Sequence, residues 1–339
     1  MTLTNPDRLG DAHARITRLV DALRRVILGK EETIEEVVAA LLARGHVLLE
    51  GLPGLGKTEL VKALSRLLSL DFRRIQFTPD LLPTDITGSH ILQEREGRKE
   101  FVFHPGPVFT NLLLADEINR ASPKTQAALL EAMQERRVTT FGETRALPSP
   151  FFVLATQNPI ELEGTYPLPE AQLDRFMFKV DVTGVQQSVL EEILVTRVHG
   201  EPPALAPELS VDDLQHLFSL VDAIHLPRAV ANYIARLVAA SHPTNADAPE
   251  AVRTFVKYGA SPRAAISIGA ASRGLALLRS KPNVGFAEVR RVAAPAMSHR
   301  LVLDYAARLE SWDGRRVVAA LLDAVPEVER GLPQTLQAR

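Results

Sequence analysis

The sequence predicts an α/β domain built on a parallel sheet covered by helices, followed by an all-helical second part. Three observations carry this. Five short apolar runs alternate with segments of helical periodicity, a glycine-rich loop joins the first run to a helix, and beyond about Gly184 the strand-like runs cease.

In chain order, Ile16, Leu19, Val20, Leu23, Val26 and Ile27 mark one amphipathic helix, and Ile34, Val37, Val38, Leu41 and Leu42 mark a second. The strand-like runs are His46 to Glu50, Phe72 to Phe77, Leu112 to Ala115, Phe151 to Thr156 and Phe176 to Val182. Strands buried on both faces read as continuous apolar runs of this kind, and the helical segments between them supply the crossovers that parallel pairing requires. Two hairpins interrupt the alternation. His90 to Glu94 faces Lys99 to Phe103 with a turn near Glu96-Gly97, and Val138 to Phe141 faces Thr144 to Leu147 across Gly142-Glu143, a Gly-X pair suited to a type II′ turn. Leu190, Ile193 and Leu194 then open a helical region, a proline-rich link spans 201–207, and the remainder reads as helical to about Val325.

Gly51-Leu52-Pro53-Gly54-Leu55-Gly56-Lys57-Thr58 is a complete G-x-x-x-x-G-K-T phosphate-binding loop between the first strand and a helix carried by Leu60, Val61, Leu64, Leu67 and Leu68. Backbone N–H groups of such a loop wrap phosphates, Lys57 reaches the outer phosphates, and the Thr58 hydroxyl is placed for Mg²⁺. The next residue, Glu59, stands where a dinucleotide-binding turn would need a third glycine. A nucleoside triphosphate is the expected ligand.

Asn111 to Glu117 forms an apolar strand ending in two adjacent carboxylates. Neighbouring positions at a strand end point in different directions, so Asp116 can bind the Mg²⁺ shell while Glu117 orients and deprotonates water. Ser122-Pro123 caps the following helix, and Leu129, Leu130 and Met133 give it a buried face. Asn158 follows another strand, where it reads equally as a γ-phosphate contact or as a turn residue before Pro159. Arg175 precedes the last strand and, taken alone, reads as a partner of Asp174 or a surface charge. Ser261-Pro262-Arg263 opens a helix, which sets a cation at the positive end of the helix dipole; a triphosphate docked there would make that favourable.

The bulk numbers narrow the function classes. With 339 residues, 46% hydrophobic and 24% charged, the chain has room for two domains. A net charge of −2 from 39 basic and 41 acidic residues supplies no global field for nucleic acid or an anionic membrane. There is no cysteine and no apolar run of membrane-spanning length, which together point to a cytoplasmic protein.

Together, the loop at 51–58, Leu113 to Arg120, Leu130 to Glu135, Ala155 to Pro159, Pro169 to Phe176 and Gly259 to Arg263 resemble the MoxR family of AAA+ ATPases over nearly the whole chain. The resemblance implies a P-loop NTPase core at 1–183 with a five-stranded sheet, and a helical lid at 184–339. It implies that Asn158 is sensor 1, that Arg263 is sensor 2 acting within its own subunit, and that Arg175 is an arginine finger acting on a neighbour's nucleotide. Ile27, Leu28 and Gly29 occupy the family's adenine side. The hairpins resemble the helix-2 insert and the hairpin before sensor 1, and both would face the pore of a ring.

The resemblance further implies an ATP- and Mg²⁺-dependent, hexameric homo-oligomer that remodels client proteins or inserts cofactors or metals, often beside von Willebrand factor A domain proteins. Two other classes compete. A nucleic-acid motor would carry a dense basic and aromatic cluster in its hairpin turns, which is lacking here. A nucleotide-gated binding protein would not need Asp116, Glu117 and Arg175 together.

Overall fold

The computed structural model describes residues 6–95, 98–159, 164–197 and 205–328. Helices α1 (Pro6–Val26) and α2 (Glu31–Leu42) lead into β1 (Val47–Glu50), α3 (Lys57–Leu67), β2 (Phe72–Gln76) and α4 (Pro83–Thr87). Hairpin strands β3 (Gly88–Arg95) and β4 (Arg98–Pro105) follow, then β5 (Leu112–Asp116), α5 (Pro123–Glu135), a second hairpin of β6 (Arg137–Thr140) and β7 (Glu143–Ala146), β8 (Phe152–Gln157), α6 (Glu170–Leu173) and β9 (Phe178–Asp181). The C-terminal part holds α7 (Gln187–Thr196), α8 (Val211–Ala223), α9 (Arg228–Ala240), α10 (Glu250–Phe255), β10 (Val256–Tyr258), α11 (Pro262–Leu278), α12 (Phe286–Met297), β11 (Val302–Leu303), α13 (Tyr305–Leu309) and α14 (Gly314–Ala324).

Five strands form one parallel sheet in the order β2-β5-β8-β1-β9. Alternate residues of these apolar strands enter two cores. Leu112, Leu114, Phe152, Leu154, Phe178 and Val180 pack with α1, α2, α3 and the C-terminal helices, while Leu113, Ala115, Val153 and Ala155 pack with Leu129, Leu130 and Met133 of α5. Burial on both faces is why the strands lack a polar alternation.

Two expectations need correction. The C-terminal part is not wholly helical, because β10 and β11 pair as a short antiparallel ribbon. The second hairpin does not turn on Gly142-Glu143: Thr140 pairs with Glu143, leaving Phe141 and Gly142 as the loop, with φ of 51° and 79°. Two positive φ values give the type I′ pattern, whose twist matches the strands it joins. The left-handed Phe141 is strained, and its ring packs edge-on against His90 of the first hairpin at 4.7 Å. The first hairpin pairs Gly88–Arg95 with Arg98–Pro105, longer than expected, while its turn at Glu96-Gly97 and residues 201–204 of the proline-rich link lie outside the described residues.

Candidate active site

The loop between β1 and α3 lies at the C-terminal end of the central strands, where open α/β sheets bind ligands. Gly54 and Gly56 hold φ of 80° and 82°, a conformation that side chains rarely adopt, and open space surrounds both. Pro53, Gly54, Gly56, Lys57, Thr58, Glu59, Asp116, Glu117 and Asn158 line one cleft of about 350 Å³, together with Lys62 and Thr156. The loop, the paired carboxylates and Asn158 thus converge. Leu52 points outward and Leu55 packs on the core, so these two contribute backbone rather than side chain. Lys57 Nζ donates to the carbonyls of Gly51 and Leu52. Burial pulls its pKa below the usual lysine range, against the upward pull of the Asp116, Glu117 and Glu50 carboxylates.

Four residues missed by sequence reasoning, Thr156, Arg74, Gln76 and Arg120, organise the carboxylates. Thr156, 1% exposed, donates to Asp116 Oδ1 at 2.6 Å and accepts from the Glu117 backbone N–H at 2.8 Å. That second bond steadies Glu117 at φ 56°, an uncommon value for a residue with a side chain. Arg74 donates from Nε and Nη2 to Asp116 Oδ2, at 3.1 and 2.7 Å. Gln76 Nε2 and Arg120 Nη1 donate to Glu117 Oε2 at 2.8 and 3.0 Å. A carboxylate offers about four lone-pair sites. Three donors occupy those of Asp116, so Oδ1 keeps acceptor capacity suited to a hydrated divalent cation.

Gly29 sits at the same end of the sheet as the loop. Lys30 Nζ bonds the Thr183 carbonyl just past β9, and a Cβ added to Gly29, at φ 68°, would stand 2.8 Å from Val189 of α7. It is not among the residues lining the 350 Å³ cleft.

Arg175 and Arg263 lie elsewhere. Both line a second cleft of about 290 Å³ with Gly45, His46, Asp174, Met177, Ser267 and Arg300, at the start of β1. Parallel pairing sets Val47 beside Phe178 and Glu50 beside Asp181. Arg175 is therefore at the N-terminal end of the sheet and the phosphate loop at the C-terminal end. Five residue steps from His46 to Gly51 separate them, about 16 Å at a rise of ~3.3 Å. Arg175 also lines a larger adjoining cleft of about 580 Å³ with Glu131, Gln134, Glu135 and Arg137. Arg263, expected to meet its own subunit's nucleotide, lines the second cleft and not the cleft of its own phosphate loop. Its Nη1 is 3.6 Å from Asp174 Oδ2, and Ser261 Oγ, the cap of α11, bonds the same carboxylate. A carboxylate, not a phosphate, compensates the cation at this helix start.

The family model described as "ATPase family associated with various cellular activities (AAA)" matches residues 46–178, and one described as "AAA lid domain" matches 248–321. The chain is 43% identical to "Chaperone MoxR1" of Mycobacterium tuberculosis over 95% of its length and 87% of the relative's. The chain belongs to the MoxR family of AAA+ ATPases. Further MoxR-type similarity comes from "Protein MoxR" of Paracoccus denitrificans, 34% identical over 93% of this chain and 96% of that one. "Uncharacterized protein YeaC" of Bacillus subtilis is 41% identical over 93% and 95%. A crystal structure of a candidate ATPase from Cytophaga hutchinsonii superposes with a TM-score of 0.88 at 36% identity, covering 96% of this chain and 98% of the other. Membership of the MoxR family makes this a chaperone-like ATPase with an AAA+ core and a lid. Among the described residues no helix is long and apolar enough to cross a membrane.

Proposed function

We infer that this protein binds ATP with Mg²⁺ at its own phosphate loop and hydrolyses it only when a second copy supplies Arg175, together with Arg263, across a subunit seam. The observation that carries this is the separation of the two clefts along β1: the loop, Asp116, Glu117 and Asn158 stand at one end, and both arginines at the other.

Within one subunit, the N–H groups of the loop and the first turn of α3 cradle the phosphates, and Lys57 leaves its carbonyl partners for the outer phosphate oxygens. Thr58 and Asp116 would hold Mg²⁺, which when bound neutralises charge on the β- and γ-oxygens. Glu117 orients the attacking water and takes its proton, with Gln76 and Thr156 fixing the carboxylate and its backbone. Asn158 reaches the water or the γ-phosphate from the end of β8. Arg175 of the neighbour then stabilises charge developing on the γ-phosphoryl group.

Such a site needs a closed ring, for which six subunits is the family's expectation. On the same resemblance, and on the name of the mycobacterial relative, the turnover drives chaperone-like remodelling, assembly or metal and cofactor insertion in client proteins, with von Willebrand factor A domain proteins as partners.

Steady-state phosphate release across a dilution series tests the reading. Specific activity should fall as copies separate, and Arg175→Ala should lose roughly 10³-fold or more in kcat with nucleotide affinity retained. Equal activity per chain at all concentrations, or a fully active Arg175→Ala protein, would overturn it.

A further inference from the structure

Arg300 is the most enclosed arginine of the second cleft, its side chain only 2% exposed. It ends the 3₁₀ turn Ser298–Arg300 after α12. Its Nε donates to Asp174 Oδ1 at 2.7 Å. Nη2 donates to the carbonyls of Asp174 at 3.1 Å and Phe176 at 2.7 Å, and to Ser267 Oγ at 3.1 Å; Nη1 donates to the carbonyls of Met177, at 3.2 Å, and Ala296. Four of these six acceptors belong to residues 174–177, the short lead-in to β9 that carries Arg175.

Burying an arginine is a poor way to gain stability, since apolar side chains of similar volume commonly do as well or better. What the guanidinium supplies is direction. Its planar fork fixes several oxygens of one backbone segment at once, which a point charge cannot do. The grip extends further, because the Asp174 carboxylate also accepts from Ser261 Oγ at the cap of α11 and sits 3.6 Å from Arg263 Nη1. One buried cation therefore ties the segment bearing Arg175 to the helix start bearing Arg263.

We propose that Arg300 is a positioning residue for catalysis between subunits: it locks residues 174–177 onto the helical part so that Arg175 and Arg263 are presented as one rigid pair to the neighbour's nucleotide. This rests on the reading that both arginines act across the seam. Arg300 touches no nucleotide itself and lies at the far end of β1 from its own phosphate loop.

The test is complementation between subunits. Arg300→Lys keeps the charge and loses the fork, and because misplacing a catalytic group by about 1 Å can cost ~10²-fold, its kcat should fall by about that factor with ATP affinity unchanged. Glu117→Gln protein lacks its base and keeps its arginine pair. Mixing the two variants should restore turnover well above the sum of either alone, because an Arg300→Lys loop then receives intact arginines from a Glu117→Gln neighbour. Arg175→Ala mixed with Glu117→Gln serves as the reference. If the reference pair recovers and the Arg300→Lys mixture does not, the inference fails while the reading of the seam stands. If the reference pair itself stays silent, the trans reading fails and takes the inference with it. Wild-type turnover by Arg300→Lys alone also overturns it. Should Arg300→Lys not fold, Asp174→Asn carries the same test, with the same recovery expected.

Discussion

Replacing Thr156 by valine exchanges a hydroxyl for a methyl at nearly constant volume, so its effects isolate two hydrogen bonds. One, at 2.6 Å, goes to the Asp116 carboxylate, and the other, at 2.8 Å, satisfies the Glu117 N–H. A bond to a charged group contributes about 1.5–3 kcal/mol, and an orphaned buried N–H costs about 1–3 kcal/mol. Because Asp116 retains its bonds to Arg74 and lines an open cleft, the lower end of both ranges applies, about 2.5 kcal/mol in total. Turnover should fall more than stability suggests. Without Thr156 the backbone at Glu117 has lost a restraint on its left-handed φ of 56°, and a base displaced by about 1 Å can lose ~10²-fold in rate. Urea unfolding reads the first effect, and steady-state phosphate release with saturating ATP reads the second. Thr156→Ser retains the hydroxyl and should cost only about 1 kcal/mol for the lost methyl, with activity near the parent. A Thr156→Val protein within 0.5 kcal/mol of the parent, roughly the scatter expected for a neutral surface change, and fully active would refute the reasoning.

Three further outcomes follow from the same geometry. Lys57→Ala should abolish measurable ATP binding in a fluorescence titration, because the variant lacks the one ammonium of the loop able to reach the outer phosphates. His46 is buried, donates from Nε2 to the Met133 carbonyl and accepts the Val153 N–H at Nδ1; burial first, and the Arg136 charge second, lower its pKa from 6.5 to about 4. The unfolded chain therefore binds the proton first as pH falls, so the stability is present in full above about pH 6.5 and is lost towards pH 4, by about 3 kcal/mol. Unfolding free energies between pH 7 and 4.5 should show a shallower decline for His46→Asn than for the parent, and identical slopes would discount the histidine. Gly29→Ala forces a side chain into the left-handed region against Val189, so a loss of at least about 1–2 kcal/mol is expected by chemical denaturation.

The motifs that depend on local spacing were legible in the sequence: the loop at 51–58, its flanking strand and helix, and the strand ending in Asp116 and Glu117. What was not legible depends on strand order. Gln76 and Thr156 are separated from Glu117 by about forty residues and reach it because β2 and β8 flank β5. A polar residue at the C-terminal end of each neighbouring strand was a usable signal only with that order in hand. Thr156 stands inside the Ala155 to Pro159 motif, but a threonine ending an apolar run carries no local sign that its hydroxyl bonds both Asp116 and the Glu117 N–H. Arg263 was legible as an oddity of helix polarity, but which anion answers it depends on how α11 packs, and periodicity carries no such information. The turn at Phe141-Gly142 was misread because a left-handed phenylalanine is rarely tolerated; its contact with His90, fifty residues earlier, supplies the compensation.

Helix α2 is wedged between the sheet and α11, closely enough that a Cβ on Gly274 would stand 2.7 Å from the Ala39 carbonyl. One apolar core accordingly runs from β9 through α1 and α2 into α11 and α12. A cut near residue 184 would strip α11 from Ala39 and Leu42 and open the shared core, leaving a fragment prone to clump rather than a free-standing nucleotide binder. Swinging the C-terminal helices far from the sheet would wet the same side chains. The shared core therefore opposes large hinge motions between the sheet and the C-terminal helices within one chain.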